Sequence, residues 1–231
     1  AHGAQCRFSG SFPVEAIQCG ADVAVASLHK TLPSLTQTAL LLTSNESLIN
    51  SLAENLAIFE TSSPSYVFMS SIEKCLDFCK NTKAFDEYII RLNSFDEKCR
   101  ELKNIKVLCC GNDNIKKHNF FDFDISKITV SVKGLNINGV QLADKLRNDF
   151  KIEPEMVCSD YVLLITTVCD TDEGFARLVK ALQIIDSECS EKELNYNNLL
   201  LSQPRIALNP CDCSGKSGDF YRFKHSINKC S

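Results

Sequence analysis

The residues best suited to do chemistry lie near the start of the chain. "AHG" (residues 1–3) and "SLHKTLPSLTQ" (residues 27–37) hold two of the four histidines, together with a lysine and two serines. Lys30 follows an apolar run, residues 21–27, that reads as a buried strand. An ammonium at such a strand end is costly unless it is paired, reaches water, or has become part of a covalent bond. The commoner outcome is a stem on apolar surface with its head in solvent. The other is chemical, since a partly desolvated amine becomes nucleophilic and condenses with an aldehyde. In that chemistry Ser27 offers hydroxyl and backbone donors to a phosphate, and His29 lies beside a ring.

Other motifs fail their chemical requirements. "GLNING" (residues 134–139) is followed by Val140-Gln141, where a P-loop needs Lys-Ser/Thr, so it reads as a strand-to-helix turn. "NES" (residues 45–47) matches a glycosylation sequon, which a cytoplasmic chain never presents to that machinery. His118 and His225 sit in polar, lysine-bearing surroundings and read as solvated. The thirteen cysteines are odd in number and scattered from Cys6 to Cys230, unlike the framework of a small secreted domain. Cys75 and Cys79 are i,i+4, Cys109 and Cys110 are adjacent, Cys211 and Cys213 stand alone, and no CxxC pair recurs. No metal site is expected; reduced, mostly buried thiols in a reducing cytoplasm are.

The elements that must position these residues alternate in kind. Residues 13–19, with Pro13 first and Gly20 last, predict a short helix. Residues 21–27 and 38–43 predict strands flanking the His-Lys turn, the kind of strand end where α/β proteins display functional groups. A helix with Asn45 as cap and Leu48, Leu52, Leu56 and Phe59 on one face follows. After a break at residues 61–65, residues 66–104 read as a mostly helical connector carrying Phe68, Ile72, Cys75 and Cys79 at helical spacing. Beyond Ile105, "IKVLCC" and "KITVSV" predict strands, and "NGVQLADKLRNDF" a helix with Val140, Ala143, Leu146 and Phe150 on one face. "EMVCS" and "YVLLITTV" predict a hairpin about Ser159-Asp160, before a helix burying Phe175, Leu178, Leu182 and Ile185. The turn-rich tail from Ser202 predicts an irregular wrap. The whole is α/β, with residues 1–100 belonging to one domain and 101–231 to a small α+β layer with helices on one side of its sheet.

Composition narrows the class. The chain has 231 residues, 44% hydrophobic and 23% charged, with a net charge of -4. That balance argues against a nucleic-acid or anionic-membrane partner. The longest apolar runs, such as residues 161–168, are too short to span a bilayer, and no segment has a signal-peptide layout. A soluble cytoplasmic protein is expected. The first residue is not Met, and the opening already reads as the inside of a domain, so a piece of a longer chain is expected too.

The run "AHGAQ...FPVEAIQCGADVAVASLHKTLPSLTQTALLL" closely resembles the pyridoxal-phosphate-dependent ornithine/lysine/arginine decarboxylase family of the Gram-positive type. Residues 1–60 carry the resemblance. It continues more weakly through "GLNINGVQLADKLRNDFKIEPEM" and "DTDEGFARLVKALQIID", which are similar to the family's C-terminal domain. The resemblance implies an aminotransferase-like (fold type I) large domain followed by a smaller α+β domain. It implies pyridoxal 5'-phosphate as cofactor, a basic amino acid as substrate, and a homodimer or higher oligomer. Lys30 is then the Schiff-base lysine, Ser27 a phosphate ligand, and His29 a neighbour of cofactor and substrate. Ala1 packs against the pyridine ring, with His2 nearby. The family's Asp, two residues before Ala1, and its upstream phosphate loop are not in this sequence, and Gln5 stands where the family has His. Two other readings stay open: an aminotransferase-like reaction, which "HKTLPSLTQ" disfavours, and a catalytically inactive binding or assembly module.

Overall fold

Strand β1 (Val23–Ser27) and strand β2 (Ala39–Thr43) pair antiparallel, with Val25 opposite Leu41 and Ser27 opposite Ala39. This is a computed structural model, and it describes residues 2–108 and 122–192. Ala1, Cys109, Cys110, His118, His225 and the tail from Ser202 lie outside the described residues. Between β1 and β2 lie the four-residue helix α1 (Leu28–Thr31) and a loop that turns through Gln37 at φ 71°. The expected burial of β1 does not hold, for Val25 is 58% exposed. Apolar composition marks a strand able to be covered, but burial depends on what packs against both faces.

The helix predicted over residues 13–19 is a single closed turn. Ala21 N–H donates to the Ala16 carbonyl (3.0 Å) and Gly20 N–H to that of Ile17 (3.1 Å), with Gly20 at φ 95°. That pair of bonds about a left-handed glycine is the Schellman stop, here applied after one turn. Asn45 caps as expected, accepting from the Ser47 amide, and helix α2 (Ile49–Phe59) follows. Its predicted apolar face is only half-buried at Leu52 and Leu56, and Phe59 is 84% exposed.

The predicted connector is two helices, α3 (Tyr66–Phe78) and α4 (Thr82–Cys99), and α4 is a core element instead of a link. Phe85, Tyr88, Leu92, Phe95 and Cys99 are buried at three- and four-residue spacing. That stripe meets helix α6 (Asp172–Glu188), where the Phe95 and Phe175 rings lie 5.9 Å apart. The partner is far along the chain, so local pattern could not reveal it.

Strands β3 (Lys106–Leu108), β4 (Lys127–Ser131), β5 (Met156–Val157) and β6 (Tyr161–Ile165) form an antiparallel sheet in the order β3-β4-β6-β5. Val130 lies opposite Val162 and Ile128 opposite Leu164, all four buried, while their neighbours in the strands are not. One face is therefore covered, by helix α5 (Gly139–Phe150) and α6 through Leu142, Leu146, Leu178, Leu182 and Ile185. Each such side chain contributes about 1.5–3 kcal/mol by leaving water. The hairpin about Ser159-Asp160 and the buried face of α6 match expectation.

Helix α5 differs in rotation: Val140 is 54% exposed, and Leu142 takes the core position assigned to it. Gly139 is the cause. Its amide donates to the Ser159 carbonyl (2.8 Å), and a Cβ there would meet the Cys158 carbonyl oxygen at 2.1 Å. Asn138 and Gln141 close a reciprocal capping box at this start. The "GLNING" run is thus the strand-to-helix turn its sequence suggested.

Candidate functional site

The site begins where β1 ends. Ser27 is the residue before α1, and its side chain does not cap that helix. Leu28, Thr31 and Leu32 are buried, which turns the opposite side of the short helix outward. Lys30 lies on that outward side and is exposed. It is therefore not at a strand end but inside a helical turn, one residue past the half-buried His29.

His29 is held by its ring. Nδ1 lies 2.9 Å from the Thr38 carbonyl oxygen, which can only accept, so Nδ1 carries the hydrogen. The same oxygen accepts from the Leu28 amide (3.1 Å), closing the turn on itself. Thr38 Oγ1 lies 2.7 Å from both Ser34 Oγ and the Leu35 carbonyl oxygen, and the Leu35 amide donates to Ser71 Oγ (2.9 Å). The His-Lys turn is thus anchored to α3, with the His29 Nε2 edge directed away from its own anchor.

The residues that follow "AHG" reach α1. A 3-10 turn over Ala4–Phe8 follows Gly3 and packs on α1. His2 is exposed, with Nε2 3.9 Å from Glu155 Oε1. A mostly apolar cavity of about 480 Å³ lies between this turn and the β1–β2 pair, lined by Gly3, Ala4, Cys6, Val25, Leu28 and Leu42 among others. Ser27, His29, Lys30 and His2 do not line it. The structure thus brings the turn that follows "AHG" onto α1, with the cavity beside it, while His2 meets Glu155 and Lys127.

A group of which the sequence singled out only Gln5 joins here: Gln5, Asp124, Ser126 and Lys127, linked by side-chain hydrogen bonds. Gln5 is fully buried. Burial, and then the Asp124 carboxylate, push the neighbouring Cys6 thiol up to about 11. The one signal was Gln5 itself, a polar residue amid a short apolar run. Cys75, Cys79, Cys99 and Cys189 are buried free thiols, whereas Cys19 and Cys169 are exposed. Among the described residues no helix is long and apolar enough to cross a membrane.

Residues 1–144 match the model of the family described as Orn/Lys/Arg decarboxylase, major domain. Over 219 residues the chain is 29% identical to an arginine decarboxylase of Bacillus subtilis (strain 168), covering 92% of this chain and 44% of that protein. An arginine decarboxylase of Bacillus anthracis is 29% identical over 236 residues, covering 99% of this chain and 47% of that protein. The chain thus spans about half the length of these relatives. The constitutive lysine decarboxylase of E. coli shares the fold at a TM-score of 0.61 and 16% identity, over 71% of this chain and 28% of that one. With the match running through both motifs and across α1, this chain belongs to the Orn/Lys/Arg decarboxylase family.

Proposed function

We propose that this chain supplies the lysine-bearing part of a pyridoxal-5'-phosphate-dependent decarboxylase that converts arginine, lysine or ornithine to the amine and CO₂. The observation that carries the reading is the anchored Ser27–Lys30 turn, with the 3-10 turn after "AHG" packed on it. In this reading residues 1–100 belong to a fold type I large domain and 101–231 to the smaller α+β domain. The protein works in the cytoplasm as a homo-oligomer.

The residues suit the cofactor. Lys30 is exposed on the side of α1 turned from the core, so its amine is accessible to an aldehyde. Ser27 keeps a hydroxyl that caps nothing, suited to a phosphate oxygen. His29 presents a ring whose tautomer and angle are set by the Thr38 carbonyl, and a fixed imidazole orients a flat ligand without reorganising. In this reading Ala1 and His2 join the set as cofactor contacts. When bound, the cofactor is the electron sink for the bond that breaks at the substrate Cα. The chain's own contribution is to hold the amine, orient the ring and keep the imidazole in place.

The test is borohydride reduction of the full natural chain that carries this sequence, with peptide mapping. The wild type is expected to carry the reduced adduct on Lys30, and Lys30→Ala to carry none. The full chain is expected to release CO₂ from at least one of the three amino acids. An adduct on another lysine refutes the assignment of Lys30, and no CO₂ from any of the three refutes the function.

A further inference from the structure

Lys127 opens β4, on the sheet of the second half of the chain, yet its ammonium bonds to the "AHG" segment. A lysine has three N–H donors, and three acceptors surround this one. Nζ lies 2.8 Å from Ser126 Oγ, 3.1 Å from Asp124 Oδ2 and 3.3 Å from the His2 carbonyl oxygen. Ser126 gives its hydroxyl hydrogen to Asp124 Oδ1 (2.6 Å), so its lone pairs are left for Lys127 and for Gln5 Nε2 (2.8 Å). Gln5 Nε2 also reaches Asp124 Oδ2 at 3.3 Å. Every donor in the group meets an acceptor, and the ion pair is mostly shielded, with side chains 19% and 18% exposed.

The 3-10 turn that carries Gln5 is five residues long, too short to hold itself. Packing holds the far end of this turn, where the Phe8 ring stacks 5.3 Å from that of Phe85. The cavity beside the turn leaves Gly3, Ala4 and Cys6 without close packing toward β1 and β2. At its near end, the exposed His2–Gly3 turn is tied to the second half of the chain by the Lys127 bond to the His2 carbonyl.

We propose that Lys127 is a positioning residue, which clamps the His2 carbonyl with the help of Asp124, Ser126 and Gln5 and so fixes the His2–Gly3 turn relative to Lys30. The proposal rests on the reading above, in which that turn faces the cofactor. A displacement of about 1 Å at such a turn costs on the order of tenfold to a hundredfold in rate.

The test compares Lys127→Met and Lys127→Arg with the wild type in the full natural chain. Hydrogen exchange is read on the cofactor-free protein, and steady-state CO₂ release on the loaded one. In Lys127→Met, amides of residues 4–8 are expected to exchange at least about tenfold faster while α5 and α6 keep their protection. Its kcat is expected to fall about tenfold or more with KM changing less than about threefold, the signature of misplacement without lost substrate binding. Lys127→Arg, which keeps the charge and several donors, is expected to recover most of both. Unchanged exchange at residues 4–8 overturns the clamp. So does faster exchange throughout, because Lys127 would then support the fold at large. Local loosening with unchanged kcat overturns the positioning role. A wild type that releases no CO₂ removes the function itself, and is read before either variant.

Discussion

Asp186 offers the sharpest test of how the second half of the chain is held. Its carboxylate, buried on α6, accepts from three successive amides: Lys103 (2.9 Å, to Oδ2), Asn104 (2.8 Å, to Oδ1) and Ile105 (2.7 Å, to Oδ1). These amides lead directly into β3. In Asp186→Asn the amide oxygen can still serve Asn104 and Ile105, now as neutral bonds, while the amide nitrogen faces the Lys103 donor. One charge-assisted bond, worth about 1.5–3 kcal/mol, is lost and two are weakened by about 0.5 kcal/mol each, so the cost is roughly 2–4 kcal/mol. The pH dependence gives an independent check. Burial alone would raise this carboxyl, but the donors from Ile105, Lys103 and Asn104 outweigh it and hold it below the usual range. A depressed carboxyl contributes stability above its unfolded value, near pH 4, and loses it as pH falls through the folded value. Urea unfolding followed by circular dichroism is therefore expected to show a wild-type advantage near neutral pH that shrinks below about pH 4. A variant within about 0.5 kcal/mol of wild type, or a gap that does not shrink in acid, refutes the reasoning.

Two further outcomes follow from packing and burial. Gly139→Ala is expected to destabilise by about 3 kcal/mol in thermal unfolding, despite alanine's better helix propensity, because its Cβ meets the backbone of the β5–β6 hairpin and that backbone must move; a variant as stable as wild type would contradict the close approach. Burial, then Cys75, push the Cys79 thiol from 9.0 up to about 12. Its folded form keeps a proton that the unfolded chain releases, so stability falls as pH rises from about 9 toward 12, by at most about 1.4 kcal/mol per unit. Urea midpoints measured from pH ~8 to ~10 are expected to drop less in Cys79→Val than in wild type, and equal slopes would count against it.

Much of this protein is legible along the chain. Alternating Ile128 and Val130 mark β4, the continuous apolar run of residues 161–165 marks β6, and Phe175, Leu178, Leu182 and Ile185 mark the buried stripe of α6, because such patterns need no partner to be seen. The Ser27–His29–Lys30 turn stands out too, but residue types alone favour a solvated lysine there, and it is the resemblance over residues 1–60 that singles it out. Rotation and burial are not. Val140 and Leu142 are both apolar, and only the approach of Gly139 to the Ser159 carbonyl decides which enters the core. The same holds for α4, whose stripe names no partner until α6 is folded against it.

By itself, then, the sequence determined the kinds of elements, the residue types gathered at Ser27, His29 and Lys30, and the family resemblance, for these rest on local periodicity and on residue types at fixed spacing. The tertiary structure decided that Lys30 stands outward in a helical turn, that the 3-10 turn Ala4–Phe8 packs on that turn, and that Lys127 grips the His2 carbonyl across a long stretch of chain. Hydrogen bonds between distant residues leave no period in the sequence. They exist only once the sheet and helices have fixed where donors and acceptors meet.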